Sequence, residues 1–207
     1  MPSRVWTIDV APEWLTFSGS EPAASDAQLI DAPDAALVDA CLSGRRDAFD
    51  IIVERHQQQV YRLCYRFVGN HEDASDLAQD AFIRAYRGLR HFKGRSSLRT
   101  WLYRIGVNVC LNRVGTKAPK PEQLSDEHSL ASRDESPAEA VLAGERAARV
   151  RAAIARLPKK QRATLILRVY HELQHEEIAA ILGNSVGAVK ANFFHALNNL
   201  RKLLREP

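Results

Sequence analysis

Apolar residues recur at three- and four-residue steps along most of this chain, and the gaps in that rhythm divide it into four parts. From Asp34 to about Gly115 the rhythm predicts successive amphipathic helices. Ala36, Leu37, Ala40 and Cys41 share one face, and Gly44 closes that segment. A longer stripe follows in Phe49, Ile52, Val53, His56, Val60, Leu63, Cys64 and Phe67. The polar run GNHEDASD interrupts it, and Asp73 is expected to start the next helix, which reaches about Leu89. FKGRSSLRT reads as a loop, with Ser97 placed to cap a helix carrying Trp101, Leu102, Ile105, Val109 and Leu111.

The rhythm fails over residues 116–139, which hold three of the nine prolines and read as a flexible linker. It returns at Ala140 through Val141, Leu142, Val150, Ile154 and Leu157. Pro158 then opens a further helix at its tolerated first turn, with Leu165, Leu167, Val169 and Tyr170 apolar. Residues 1–33, rich in Ala, Ser, Pro and Asp, show no lasting period and read as a flexible extension. Trp6, Trp14 and Phe17 are unusual there. No stretch alternates as a strand does. The expected fold is all-α, with two small helical domains at 34–115 and 140–207 joined by the linker 116–139.

The last part predicts a helix-turn-helix. Glu176 to Leu182 is expected to be a short helix with Ile178, Ala179 and Leu182 inward, ended by Gly183. Ser185 is placed to cap a second helix, on which Val186, Val189, Phe193, Ala196 and Leu200 form one apolar stripe. The second helix of such a pair enters the major groove of DNA. Its groove-facing candidates are Ala188, Lys190, Ala191, Asn192 and His195. Asn bonds adenine through two contacts, Lys reaches guanine or phosphate, and Ala touches a thymine methyl. Arg201, Lys202 and Arg205 are expected at phosphates, and Phe194 is expected to pack on a neighbouring helix.

A competing motif lies just upstream. His171-Glu172-Leu173-Gln174-His175 matches H-E-x-x-H, which on a helix holds zinc between two imidazoles with glutamate as general base. Here the segment falls in the turn before a helix, with Gln174 near the cap, so the two histidines need not share a face. A catalytic zinc also needs a third protein ligand, and the only later histidine is His195 on the expected reading helix. The expectation is no metal, no cofactor, no catalytic residue and no small-molecule substrate.

Charge sharpens the reading. The net charge of +4 conceals −8 over residues 1–80, +10 over 81–120, −5 over 121–139 and +7 over 140–207. Two separated basic blocks suit a polyanion gripped in two places. In the first block the cations are interleaved with Phe82, Tyr86, Phe92, Trp101 and Tyr103, a pairing that suits single-stranded nucleic acid. Just before it Asp73, Asp76, Leu77, Asp80 and Arg84 share one helix face, which suits a basic protein surface rather than DNA. Cys41, Cys64 and Cys110 are scattered and odd in number, which fits buried thiols in a reducing cytoplasm. No apolar run approaches the ~20 residues that span a bilayer, and the N-terminus lacks the basic start and apolar core of a secretory signal.

DASDLAQDAFIRAYRGLRHFKGRSSLRTWLYRIGVNVCLN resembles the second sigma domain of the extracytoplasmic-function (ECF), RpoE-like sigma factors of bacterial RNA polymerase. LPKKQRATLILRVYHELQHEEIAAILGNSVGAVKANFFHALNNLRKLL resembles their fourth domain. The resemblance covers about residues 34–115 and 140–205, in family order around a linker. It implies a non-enzymatic factor that binds core RNA polymerase, selects promoters and assists their opening. Carried over residue by residue, it assigns polymerase binding to Asp73, Asp76, Leu77, Gln79, Asp80 and Phe82. It assigns the opened minus-10 strand to the loop from Phe92 to Leu98, with Lys93, Arg95, Ser96 and Ser97, and to Trp101, Arg104, Asn108 and Asn112. Duplex at minus-35 falls to Ser185, Ala188, Lys190, Ala191, Asn192, His195 and Arg201. The family also adds an anti-sigma factor as a candidate partner. Family members often carry Gly where Glu172 stands, Ser or Thr where Gln174 stands, and Arg at Asn192 and His195. These departures leave the fold intact and bear on the minus-35 preference. The rival reading is a stand-alone helix-turn-helix regulator that works without polymerase.

Overall fold

The computed structural model describes residues 27–116 and 137–205, and all regular structure among them is helical. Trp6, Trp14, Phe17 and most of the linker lie outside the described residues. Ala27–Ile30 form a single helical turn, α1, within a unit, Met1–Ala32, separate from the compact unit of Pro33–Pro207. The second unit contains α2 (Asp34–Leu42), α3 (Asp47–Val68), α4 (His71–Gly88), a 3-10 turn (Leu89–His91) and α5 (Leu98–Thr116). It continues with α6 (Pro137–Ala155), α7 (Lys159–Val169), α8 (His175–Leu182) and α9 (Val186–Arg205). No helix among the described residues is long and apolar enough to cross a membrane.

Helix α3 is the hub of the first half, packing on α2, α4 and α5. Its stripe buries Ile52, Val60, Leu63, Cys64 and Phe67 almost completely, as its spacing requires. Truncating a side chain such as Phe67 to Ala costs about 3–5 kcal/mol at a site that cannot collapse. Gly106 lets α5 approach α3, since a Cβ there would meet Leu63 Cδ2 at 3.2 Å. Asp34 fastens α2 to α3 by accepting from Arg55 at 3.1 Å and lying 3.0 Å from His56 Nε2. Cys64 and Cys110 are both fully buried. Hydrogen bonding to Cys64, and then burial, push the Cys110 thiol well above its ordinary pKa, so Cys110 is an inert core thiol rather than reactive chemistry.

Helix α4 begins two residues before the expected Asp73. Asn70 caps it by accepting from the Asp73 backbone N–H at 2.8 Å, and its own amide donates to the Asp73 carboxylate at 2.9 Å. A capping residue was hidden in the polar run, so Asp73 sits inside the first turn rather than at its edge. Ser97 caps α5 as its position predicts, accepting from Thr100 N–H at 3.1 Å. Pro158 stands just outside α7 as its N-cap rather than within its first turn.

Candidate functional site

The helix-turn-helix is formed by α8 and α9. Gln174 stands at the N-cap of α8, and its backbone N–H donates to the Glu177 carboxylate at 2.8 Å. Gly183 ends α8 at φ 64°, a left-handed conformation that glycine adopts without a Cβ penalty. Ser185 caps α9 through the Ala188 N–H at 3.2 Å. Inside the pair, Ile178, Ile181, Val189 and Ala196 are buried, while Leu182 is only half-buried, so Ile181 takes the inward place expected of it. Asn199 ties α9 to α7 by donating to Gln161 Oε1 at 2.8 Å.

The outer face of α9 presents Ala188, Lys190, Ala191 and His195 to solvent, with Asn192 half-buried and Arg201 exposed at its far end. Phe194 does not pack on a neighbouring helix. It is 61% exposed and touches His195 edge-on, with ring centroids 5.6 Å apart. One step along the helix from Phe193 carries it out of the core stripe, and Leu197 beside it is also exposed. Its place beside the stripe is not enough to bring it into contact with a neighbouring helix.

The middle block separates into surface and core. Phe82 and Tyr103 are buried, and Tyr86 packs edge-on against Phe49 at 5.0 Å. These three aromatics therefore support the fold and are not a stacking platform. Phe92 and Trp101 remain half-exposed and lie against each other with centroids 5.2 Å apart; Trp101 also rests on Gly88. Lys93, Arg95, Ser97, Arg104, Asn108 and Asn112 are exposed, and Ser96 is half-buried. Loop and helix thus form one basic surface with a paired aromatic patch.

On α4 the proposed polymerase face is likewise divided. Leu77 and Phe82 are buried and hold the helix from beneath. Asp73 accepts from Arg113 at 2.5 Å in addition to its part in the cap. Asp76 and Gln79 are exposed, and Asp80 grips Arg84 through two contacts of 2.9 Å. The outward set is therefore Asp76, Gln79 and Asp80.

A seam joins the two halves, and sequence reasoning did not foresee it. Arg104 Nη2 donates to the Ala180 carbonyl on α8 at 2.6 Å. Tyr103 Oη lies 3.1 Å from His171 Nδ1, and the rings meet edge-on at 5.2 Å. Arg66 lies over the Tyr170 ring at 4.3 Å. Arg162, only 3% exposed, reaches from α7 to the Phe67 carbonyl and to the Ala155 carbonyl. A buried guanidinium with this role carries no sequence signal, because its partners are backbone oxygens. Burial, and then the charges of Arg99, Arg66 and Arg62, lower the His171 pKa to about 4. His171 and His175 serve different aromatic neighbours, Tyr103 for the first and Phe193 for the second at 6.1 Å. His171 lies before α8 and His175 opens it, so H-E-x-x-H does not form one helical face here.

Comparisons with known proteins bear directly on this arrangement. Residues 52–118 match Sigma-70 region 2, and residues 147–200 match Sigma-70 region 4. The chain is 35% identical over 187 residues to the RNA polymerase sigma-H factor of Pseudomonas aeruginosa, covering 86% of this chain and 96% of that protein. It is 36% identical over 172 residues to the ECF RNA polymerase sigma factor SigW of Bacillus subtilis, covering 79% and 92%. Among solved structures it resembles CnrH in complex with the cytosolic domain of CnrY, at a TM-score of 0.60 and 27% identity. That match covers 83% of this chain and 96% of CnrH. The sigma factor RpoE in complex with the anti-sigma factor NepR from Bartonella quintana shares the fold, at a TM-score of 0.57 and 22% identity, over 76% of this chain and 97% of that one.

Proposed function

This chain belongs to the extracytoplasmic-function sigma factors of RNA polymerase, and from that premise we propose how its faces divide the work. As a member it binds core RNA polymerase and directs it to specific promoters for the initiation of transcription. In our reading residues 34–115 hold the polymerase and the opened minus-10 strand, and residues 140–207 read the minus-35 duplex. The observation that carries this division is the outer face of α9, which bares Ala188, Lys190, Ala191 and His195 over a buried stripe.

Each face suits its task by chemistry. Asp76, Gln79 and Asp80 offer carboxylates and an amide to a basic protein surface and would repel a phosphate backbone. Lys93, Arg95 and Arg104 track the backbone of a single strand, while Phe92 and Trp101 offer rings to unpaired bases. Ser96, Ser97, Asn108 and Asn112 supply donors and acceptors beside them. On α9, Lys190, Asn192 and His195 hold the base-edge chemistry, Ser185 and Arg201 face phosphates, and the exposed ring of Phe194 joins Ala188 and Ala191 as apolar contacts for thymine methyls. The two grips are tethered, so each raises the effective concentration of the other.

The seam adds a step. Arg104 is engaged by α8, so the halves must part before it serves a DNA strand. The protein carries no catalysis of its own and acts in the cytoplasm, where its polymerase works. An anti-sigma factor is the regulatory partner that the family resemblance implies.

In-vitro transcription with core enzyme tests the reading. The protein should start promoter-specific transcripts that core enzyme alone does not; their absence on every cognate genomic fragment rejects it in favour of a stand-alone regulator. Asp76→Arg should weaken core binding at least tenfold while leaving the helical content and melting temperature unchanged. Unaltered core affinity would remove α4 from the polymerase interface.

A further inference from the structure

The contacts that join the halves fall on one DNA-facing surface and spare the other. Helix α8 packs on α5, where Arg104 Nη2 donates to the Ala180 carbonyl and Tyr103, only 1% exposed, lies against His171. Arg104 belongs to the face assigned to the minus-10 strand. No seam contact involves the outer face of α9, where Ala188, Lys190, Ala191 and His195 stay exposed while the seam is closed. Two further cations fasten the seam, neither of them assigned to a DNA face. Arg66 of α3 lies over the Tyr170 ring at 4.3 Å. Arg162 of α7 donates to the Phe67 carbonyl in the last turn of α3, where a helix leaves its carbonyls without internal partners. A cation there also meets the negative end of the helix dipole. The same fastening carries a cost. Nε of Arg162 and Nε2 of His171 are buried without a hydrogen-bond partner, and each regains water when the halves part. Arg162 is moreover a buried charge held by backbone carbonyls, so its lost hydration opposes closure. The closed form is therefore a difference between opposing terms, which a competing ligand can reverse.

We propose that the seam is a latch that gates the two DNA faces unequally, closing the minus-10 face of the free chain around Arg104 while leaving the minus-35 face of α9 bare. The free chain then takes duplex through α9 without rearrangement. It binds an opened strand only from the fraction of molecules whose halves have parted, and its apparent strand affinity is lowered by that fraction. A strand that occupies Arg104 favours the parted form and draws the population towards it. Duplex reading therefore precedes strand capture. The latch deepens the proposed division of faces and rests on it.

Two variants that each remove a cation test the latch in the full chain, Arg66→Ala and Arg162→Ala. The probes are a minus-10 single strand and a minus-35 duplex cut from a promoter that the protein activates in the transcription test. Loss of positive charge by itself weakens binding to any nucleic acid. Release of the latch does the opposite. Strand affinity should rise by about threefold in Arg66→Ala, the worth of one cation–π contact, and further in Arg162→Ala. Duplex affinity should stay level, and the radius of gyration in small-angle X-ray scattering should increase. Arg66 is only half-buried, so its variant remains informative where Arg162→Ala fails to fold. Strand affinity that stays level or falls in Arg66→Ala overturns the latch. Duplex affinity that rises in step with strand affinity overturns its unequal action. Wild-type protein bound to core polymerase supplies the reference. Where that complex holds the strand and the free variants gain nothing, the latch fails and the division of faces stands. Where that complex does not hold the strand, the division of faces fails and the latch falls with it.

Discussion

Glu172 shows how a single backbone angle records a choice of residue. It is the one non-glycine residue at positive φ among the described residues, at 55°, in the turn that delivers the chain to α8. A β-carbon makes this conformation costly by roughly 1–2 kcal/mol, and glycine removes that penalty while adding some chain entropy. Glu172→Gly should therefore raise stability by up to about 1 kcal/mol, read as a higher denaturant midpoint with an unchanged slope. A lower midpoint would mean that the glutamate side chain makes a contribution larger than the strain. Phe194 makes the complementary case, an aromatic ring left in solvent. Phe194→Ala should change stability by less than about 1 kcal/mol, far below the cost of emptying a core position. Its affinity for a minus-35 duplex should fall, which binding to labelled DNA would measure; a large loss of stability with intact DNA affinity would return Phe194 to a packing role.

At the scale of elements, the helix ends decide where functional side chains stand. Asn70 starts α4 two residues early, so Asp73 lies within the first turn and Asp76, Gln79 and Asp80 project outward on the following turns. Asn70→Ala removes an acceptor from the Asp73 N–H and a donor from its carboxylate, and should cost about 1 kcal/mol. Chemical denaturation checks that value, and a neutral result would show that water replaces the cap without loss. Periodicity located α3, α8 and α9 because each has a continuous apolar stripe, although on α9 only Val189 and Ala196 are fully buried and Val186, Phe193 and Leu200 are half-buried. The start of α4 was less legible, since Asn, His, Glu and Asp suit both a turn and a first helical turn.

Across the whole molecule the seam couples the two halves through buried polar groups. His171 is held neutral in the fold, with its pKa lowered to about 4 by burial and by Arg99, Arg66 and Arg62, against 6.5 in the absence of these influences. The unfolded chain therefore takes up a proton at His171 below about 6.5, and the folded chain resists doing so until about 4. The contribution is present in full above 6.5 and is lost as pH falls toward 4. Its size is on the order of 3 kcal/mol. His171→Gln should flatten the stability profile across that window, measured by denaturant titration at successive pH values; identical profiles would remove His171 as the cause. The ion pairs elsewhere, such as Asp80 with Arg84, are exposed and should contribute little to this trend.

The sequence by itself determined the helical class, the helix-turn-helix and the two basic blocks, because periodicity, caps and charge runs are local and additive. It also located the acidic face of α4 and the loop from Phe92 to Leu98. The tertiary structure alone decided which of those residues point outward. Leu77, Phe82 and Tyr103 went into the core, and Phe194 went into solvent. It also decided that Arg104, Tyr103 and Arg66 of the first half meet α8, His171 and Tyr170 of the second. Contacts between residues some seventy positions apart depend on how whole helices dock, and no short pattern encodes them.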